Sequence, residues 1–138
     1  MSVQAYINFN GNCKEAVEYY VDVFKTNEPK FMLFGDIKDT SGFGQDEAVK
    51  NLVMHTFLMI SGSKVMFSDV PPGMPFIQGN NISLTVVSKE ESELRSAYQK
   101  LIDGGTINME LQETFWSKCY GMVTDKYGIS WQLSLESE

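Results

Sequence analysis

The chain has little or none of several features that mark particular protein classes. Only two of its 138 residues are cysteines, Cys13 and Cys119, which is too few for a disulfide framework. No apolar run approaches the roughly 20 residues that a membrane-spanning helix needs. The first residues show no basic patch followed by an apolar segment, so we expect no signal peptide. These absences predict a cytoplasmic protein that does not associate with membranes.

Basic residues are also scarce. Lys and Arg together number 11 against 18 Asp and Glu, the formal net charge is −7, and no three basic residues are adjacent. Duplex nucleic acids are bound through clustered basic side chains, so a nucleic-acid partner is not expected. An acidic surface instead favours a cationic ligand. The hydrophobic content of 43% is ordinary for one compact domain.

The sequence divides into two halves that follow one plan. In the first half, polar and apolar residues alternate over residues 3–9, which predicts a strand. Asn12, with Glu15 three residues later, indicates the start of a helix, and apolar residues keep helical spacing to about Phe24. Three further strands are then expected at about 30–35, 53–60 and 64–69.

The second half repeats this plan. An alternating strand is predicted over residues 81–87, followed by a helix that a capping box of Ser88 and Glu91 would begin. The Asp-Gly-Gly sequence at 103–105 would end that helix. Three more strands are expected at about 106–112, 119–124 and 129–135.

This repeat predicts a single α+β domain over residues 1–138. Module one covers about 1–70, a stiff proline-containing linker about 71–80, and module two about 81–138. Residues 36–51 are rich in Asp, Gly, Ser and Lys and interrupt the first module. Such a long insertion in a compact domain is usually functional or mobile.

Several segments of the two modules resemble a known family, namely residues 6–12, 66–69, 113–116 and 124–128. In these motifs the chain is similar to the PhnB-like group of the vicinal-oxygen-chelate superfamily, which includes glyoxalase I, bleomycin-resistance proteins and extradiol dioxygenases. The resemblance implies two βαβββ modules that form a cup-shaped, curved mixed sheet with the helices outside. It also implies a homodimer, because dimerisation often completes the cup.

Metal-using members of this superfamily bind a divalent ion through four side chains in the cup, usually His, Gln or Glu. The positions that match here are Gln4, Met66, Asn81 and Gln132. Amides and a thioether are poor ligands for hard divalent ions, so we expect no bound metal and no other cofactor. The alternative is a metal-dependent lyase or dioxygenase in which other residues replace the usual ligands.

Two residues are candidates for acid–base catalysis. His55 is the only histidine and shares a predicted strand face with Phe57. Histidine side chains titrate near neutral pH, which suits a general acid or base, although His55 could equally be a hydrogen-bonded strand residue that fills the cup. Glu113 precedes a run of aromatic residues, where it could act as a base or bind a cationic ligand. Alternatively, Glu113 caps its loop or pairs with Lys126.

The remaining candidates are residues expected to contact a ligand or to support the fold. Asp69 and Asp125, both at strand ends, are expected to bond turn backbones. Cys13 and Cys119 are expected in the core, although the nearby helix start could lower the pKa of the Cys13 thiol. Trp116 is a candidate lid over the pocket. The expected ligand-binding residues are Gln4, Tyr6, Phe57, Met66, Asn81, Trp116 and Gln132.

The residues and the resemblance together leave two main functions open. The first is a metal-independent enzyme that performs lyase- or isomerase-like proton transfer on a small organic molecule of unknown identity. The second is a non-catalytic protein that sequesters an amphipathic cationic compound, as bleomycin-resistance proteins do. Methyltransferase activity is not expected, since no Gly-rich turn in a parallel βαβ sheet is visible for a conventional methyl donor.

Overall fold

The computed structural model describes residues 1–37 and 46–137. The chain divides into two compact units, Met1–Ile77 and Gln78–Glu138. Each unit contains one α-helix and one open four-stranded mixed sheet within the described residues. The predicted α+β class and the two βαβββ modules are therefore confirmed. None of the helices in these two ranges is long and apolar enough to cross a membrane.

The first unit follows the predicted order of elements, which are β1 (Ala5–Phe9), α1 (Cys13–Phe24), β2 (Met32–Leu33), β3 (Val53–Ile60) and β4 (Ser63–Asp69). Its strands lie in the order β1-β4-β3-β2, with β1 parallel to β4 and the other pairs antiparallel. The strand predicted at 30–35 is only two residues long, because a 3₁₀ turn at Phe34–Asp36 follows it directly. The parallel strands β1 and β4 lie at one edge of this sheet.

Helix α1 covers one face of the first sheet. Its residues Ala16, Val17 and Tyr20 are fully buried, and the Tyr20 ring stacks on Phe67 of β4 with centroids 5.8 Å apart. Removing an aromatic side chain of this size from water stabilises the fold by about 1.5–3 kcal/mol. Because strand side chains alternate between faces, the neighbours of Phe67 lie on the face opposite the helix.

The Asp69 carboxylate fixes the start of α1. Its Oδ1 accepts hydrogen bonds from the backbone N–H groups of Gly11 at 2.9 Å and Cys13 at 3.0 Å, and its Oδ2 accepts one from Val53 at 2.9 Å. Asn12 occupies the N-cap position as predicted, but its side chain makes no capping hydrogen bond in the described part of the chain. Asp69 therefore joins the β1–α1 turn, the start of β3 and the end of β4.

The structure describes residues 36–37 and 46–51 of the insertion predicted at 36–51. Residues 38–45 lie outside the described residues. Beyond them, residues 46–50 form a turn in which the backbone N–H groups of Val49 and Lys50 both donate to the Asp46 carbonyl. The Val49 side chain is buried in the core of the first unit. The second half of the insertion is thus a packed turn that leads into β3.

The second unit repeats the first, with β5 (Ser83–Ser88), α2 (Glu91–Leu101), β6 (Thr106–Gln112), β7 (Tyr120–Thr124) and β8 (Ser130–Leu135). Its strand order is β5-β8-β7-β6, again with the first pair parallel. The predicted capping box of Ser88 with Glu91 is wrong, because α2 begins only at Glu91. Ser88 Oγ instead donates to Glu93 at 2.9 Å and accepts from the Glu90 backbone N–H at 3.0 Å.

Asp125 organises the turn between β7 and β8. Its Oδ1 accepts hydrogen bonds from the backbone N–H groups of Tyr127 at 2.8 Å and Ile129 at 3.1 Å. Its Oδ2 accepts one from the indole Nε1 of Trp131 at 2.8 Å. Trp131 and Leu133 are buried, on the β8 face that α2 covers, so one carboxylate connects the turn to the core. The turn-bonding role predicted for Asp125 is observed.

We expect the Asp69→Ala substitution to destabilise the protein by about 2–4 kcal/mol. It leaves three backbone N–H groups without their acceptor, and a buried unsatisfied donor costs about 1–3 kcal/mol. Urea unfolding measures the change. The control is Asp22→Ala, which removes an exposed ion pair to Lys25 and should cost less than about 1 kcal/mol. Equal stability of the two variants would contradict the role given to Asp69.

Candidate functional site

The face of the first sheet opposite α1 carries most of the candidate residues of the first half. Tyr6 of β1 pairs with Met66 of β4, and Phe57 of β3 pairs with Met66 from the other side. These three side chains form a row across three adjacent strands. Tyr6 is 44% exposed and Phe57 is 39% exposed, so the row is not part of the helix-side core.

His55 lies on this same face and contacts Tyr6. The Tyr6 hydroxyl oxygen is 3.3 Å from the imidazole Nδ1, and the two ring centroids are 5.8 Å apart. A tyrosine hydroxyl can donate to an unprotonated Nδ1 or accept from a protonated one, so this contact is compatible with either tautomer. In both cases Nε2 is the ring nitrogen with which His55 can reach a ligand.

Two further side-chain contacts on this face were not predicted. Lys64 of β4 places its Nζ 4.5 Å from the centre of the Phe57 ring, a cation–π contact. Ser68 Oγ donates to Asn8 Oδ1 at 3.0 Å across the β1–β4 pair. The sequence could have indicated that both residues lie on this face, because Lys64 and Ser68 are each two residues from Met66 on the same strand.

The corresponding face of the second sheet carries a chain of hydrogen bonds centred on Gln132. The Tyr120 hydroxyl donates to Gln132 Oε1, and Gln132 Nε2 donates to Ser83 Oγ at 2.7 Å. This chain crosses β7, β8 and β5. Tyr120 was not predicted as a site residue. It alternates with Met122 and Thr124 along β7, and the buried Val123 between these two points to the opposite face. This pattern indicates that Tyr120 lies on the same face as Gln132.

The loop between β6 and β7 supplies aromatic surface beside this chain. Trp116 is 48% exposed and stands edge-on to Tyr120, with ring centroids 5.2 Å apart and an interplanar angle of 75°. Phe115 is 96% exposed and packs edge-on against Trp116 at 4.6 Å. Glu113 is exposed and follows the last residue of β6. It belongs to the second unit, whereas His55 belongs to the first.

The four positions that the superfamily would use for a metal do not suit a divalent ion. Gln4 and Asn81 are exposed residues just before β1 and β5, Met66 offers a thioether, and the Gln132 oxygen already accepts a hydrogen bond from Tyr120. Hard divalent ions prefer carboxylate and imidazole ligands. Within residues 1–37 and 46–137, no group of three or more His, Cys, Asp or Glu side chains could hold a metal ion. We therefore derive no chemical step through a metal.

Neither cysteine is a candidate nucleophile. Cys13 and Cys119 are both buried free thiols. Burial raises the pKa of the Cys13 thiol, and the negative charge of Asp69 raises it further. Burial also raises the pKa of Cys119, with Arg95 partly opposing the effect. The lowering considered for Cys13 from the nearby helix start is wrong, because desolvation and Asp69 outweigh it.

The paired βαβββ units, each with an open mixed sheet, define the class of protein as a vicinal-oxygen-chelate fold. The fosfomycin resistance protein FosX from Listeria monocytogenes has this fold. It aligns over 99% of this chain and 94% of its own with a TM-score of 0.65, at 9% identity. At that identity the likeness concerns the fold alone.

Residues 2–134 match the family described as 3-demethylubiquinone-9 3-methyltransferase, and the chain belongs to this family. Protein YjdN of Escherichia coli (strain K12) is 28% identical over 142 residues, which are 98% of this chain and 95% of YjdN. Among solved structures, protein PA1353 from Pseudomonas aeruginosa is 27% identical with a TM-score of 0.84, covering 100% of this chain and 99% of its own. The PhnB protein from Bacillus cereus, a putative 3-demethylubiquinone-9 3-methyltransferase, is 27% identical with a TM-score of 0.72, covering 99% and 100%. The resemblance to the PhnB-like group is confirmed.

We expect both thiols to be unreactive towards a disulfide reagent such as DTNB in the native protein at pH 8. Their raised pKa values leave little thiolate at that pH, and burial blocks access to the sulfur atoms. Absorbance of the released thiol measures the reaction, which should reach two thiols per chain only after denaturant is added. Rapid native modification of either cysteine would contradict this description.

We also expect Tyr6→Phe to change the tautomer ratio of His55, because the substitution removes the hydroxyl at Nδ1. Long-range ¹H–¹⁵N correlation spectra of the neutral imidazole measure the ratio, and the single histidine makes the signals unambiguous. The control is Tyr127→Phe, which removes a hydroxyl from the second unit. An unchanged ratio in Tyr6→Phe would show that the hydroxyl does not hold the ring.

Proposed function

We propose that this protein binds a small organic molecule against the face of its first sheet opposite α1 and transfers protons on it through His55, without a resident metal. The observation that carries the proposal is the contact between Tyr6 and His55 on a partly exposed face that also presents Phe57 and Met66. A lone imidazole can take a proton from one atom of a substrate and return it to another. The reaction would then be lyase- or isomerase-like.

The contact with Tyr6 supports this role of His55 in a specific way. When Nε2 takes a proton, the imidazolium carries N–H on both nitrogens, and Nδ1 then needs an acceptor. The Tyr6 oxygen can accept that bond in the imidazolium and also in the neutral ring that carries its hydrogen on Nδ1, which is the tautomer whose Nε2 can take a proton. Tyr6 can thus hydrogen-bond to the ring both before and after Nε2 takes a proton. Phe57 and Met66 would bind the apolar part of the substrate next to it.

The other candidates complete the proposal with simpler roles. Gln4, in the first unit, would bind a polar group of this ligand through its amide. In the second unit, the amides of Asn81 and Gln132 would bind polar groups of a small molecule, and Trp116 would cover its rings. Glu113 is the second candidate for proton transfer, since its exposed carboxylate precedes the aromatic residues of the same loop. We further propose that the chain acts as a homodimer, as the resemblance to the superfamily implies.

A non-catalytic, ligand-sequestering function is the alternative, and the aromatic loop favours it. Phe115 is almost fully exposed and Trp116 half-exposed, although exposing such rings to water is unfavourable. A planar ligand that packs against them would remove that cost. The net charge of −7 would favour a cationic ligand of this kind. In this case the protein would hold the compound without changing it.

Native mass spectrometry of gently purified protein is the first test. We expect a dimer that carries an organic mass and no stoichiometric metal ion. The released compound is then incubated with the wild-type protein and with His55→Gln, which retains a polar side chain without a titratable ring. Catalysis by His55 predicts that conversion falls about 10²–10⁴-fold in the variant while the compound still binds.

The other outcomes separate the alternatives. If the compound is recovered unchanged after incubation with wild type and with His55→Gln, and binds both proteins with equal affinity, the result contradicts catalysis and supports sequestration. A loss of conversion in Glu113→Gln but not in His55→Gln would move the proton-transfer role to Glu113. A metal ion at one per chain would overturn the metal-independent proposal.

A further inference from the structure

The Gln132 carboxamide is held from two sides on the second sheet. Tyr120 of β7 donates to its oxygen, and its nitrogen donates to Ser83 of β5. These partners lie on the two strands that flank β8, in the order β5-β8-β7. The side-chain amide therefore spans the face with its oxygen towards one neighbouring strand and its nitrogen towards the other.

This arrangement uses half of the hydrogen-bonding capacity of the amide. A glutamine side chain has two N–H donors and two acceptor lone pairs on its oxygen. The outer lone pair and the outer hydrogen, next to Cγ, point away from each other, as do the directions from Gln132 to Tyr120 on β7 and to Ser83 on β5. The inner lone pair and the inner hydrogen lie side by side along the opposite edge of the amide and point in one direction, so together they cannot bond to partners on both flanking strands.

The nearest neighbours of Gln132 on its own sheet face are uncharged. Thr85 and Met122 are the register partners of Gln132 on the two flanking strands, and Ser130 and Ser134 are its neighbours on the same face of β8. An ionic ligand group needs an opposite charge to offset its desolvation, and none of these four side chains supplies one. The half-exposed ring of Trp116, edge-on to Tyr120, offers a wall for a planar group.

We propose that Tyr120 and Ser83 hold the outer positions of the Gln132 amide and that its inner edge recognises a neutral planar ligand group with a donor and an acceptor side by side, such as a primary carboxamide, a lactam or a cyclic imide. Two such bonds form a cyclic pair with the glutamine amide. A carboxylate presents two acceptors and an amidinium two donors, so each would leave one polar atom of Gln132 facing a like partner. This inference rests on the proposed small-molecule binding and names the ligand chemistry at the second sheet.

Benzamide, benzoate and benzamidinium test the proposal, because they share size and planarity but present donor–acceptor, double-acceptor and double-donor edges. The full-length protein is titrated with each in buffer containing EDTA. The indole N–H signals of its two tryptophans are followed by NMR. Trp131 is buried, so the half-exposed Trp116 is the reporter. Saturable binding of benzamide at least fivefold tighter than either ion is expected.

A change of selectivity provides the second arm. Gln132→Glu replaces the inner N–H with an acceptor at neutral pH, so benzamide should bind at least fivefold more weakly and benzamidinium should become the tightest of the three. The matched control is Gln99→Glu, the same change at an exposed position of α2, which should leave the order unchanged. Tyr120→Phe should weaken benzamide severalfold by letting the amide turn, with the Trp131 signal showing that the fold is retained.

Several results would overturn the proposal. These are the absence of saturable benzamide binding up to its solubility limit, binding of either ion as tight as that of benzamide, and an unchanged order of affinities in Gln132→Glu. Such a failure is distinguishable from a failure of the proposed function. If His55 converts a co-purified ligand, the proposed catalysis holds even when Gln132 does not recognise an amide. If His55→Gln has no effect on conversion, amide recognition by Gln132 still holds.

Discussion

The packing of one helix on one face of each sheet is the constraint on which the rest of this structure depends. Tyr20 and Phe67 in the first unit, and Trp131 and Leu133 in the second, are buried on the helix side. Strand side chains alternate, so every residue committed to this core sends its two neighbours to the other face. Met66 and Gln132 lie on the helix-free faces for this reason. Each unit thereby combines a stable core with a surface that can be varied without loss of packing.

The acidic residues of the chain illustrate how charge is divided between structure and surface. Asp69 and Asp125 are both buried, and each carboxylate accepts three hydrogen bonds from backbone or indole N–H groups. A carboxylate bonded in this way fixes turns and helix starts and has little capacity left for a ligand. The helix-free faces instead carry neutral or titratable side chains such as His55 and Gln132.

Much of the fold could be predicted from the sequence, because alternation and helical spacing are local patterns that burial enforces. The helix ending at Phe24 and the strand at 53–60 are found as expected. The start of α2 was misplaced because Ser88 bonds to Glu93 rather than forming a box with Glu91. The second strand was predicted too long, since a tight turn replaces its last residues. Tyr120 was overlooked although it alternates with Met122 on the helix-free face of β7. These errors fall at element ends and in short strands, where local propensity is weakest.

The sequence by itself determined the α+β class, the repeated βαβββ order and the strand face that His55 shares with Phe57, because these follow from the period of the local pattern. Only the tertiary structure decided which side chains meet. Tyr6 and His55 are 49 positions apart, as are Ser83 and Gln132, and Asp69 reaches Gly11 across 58. Such contacts depend on the register between strands that are distant in the chain. Register is set by the packing of the whole sheet and cannot be read from any one segment.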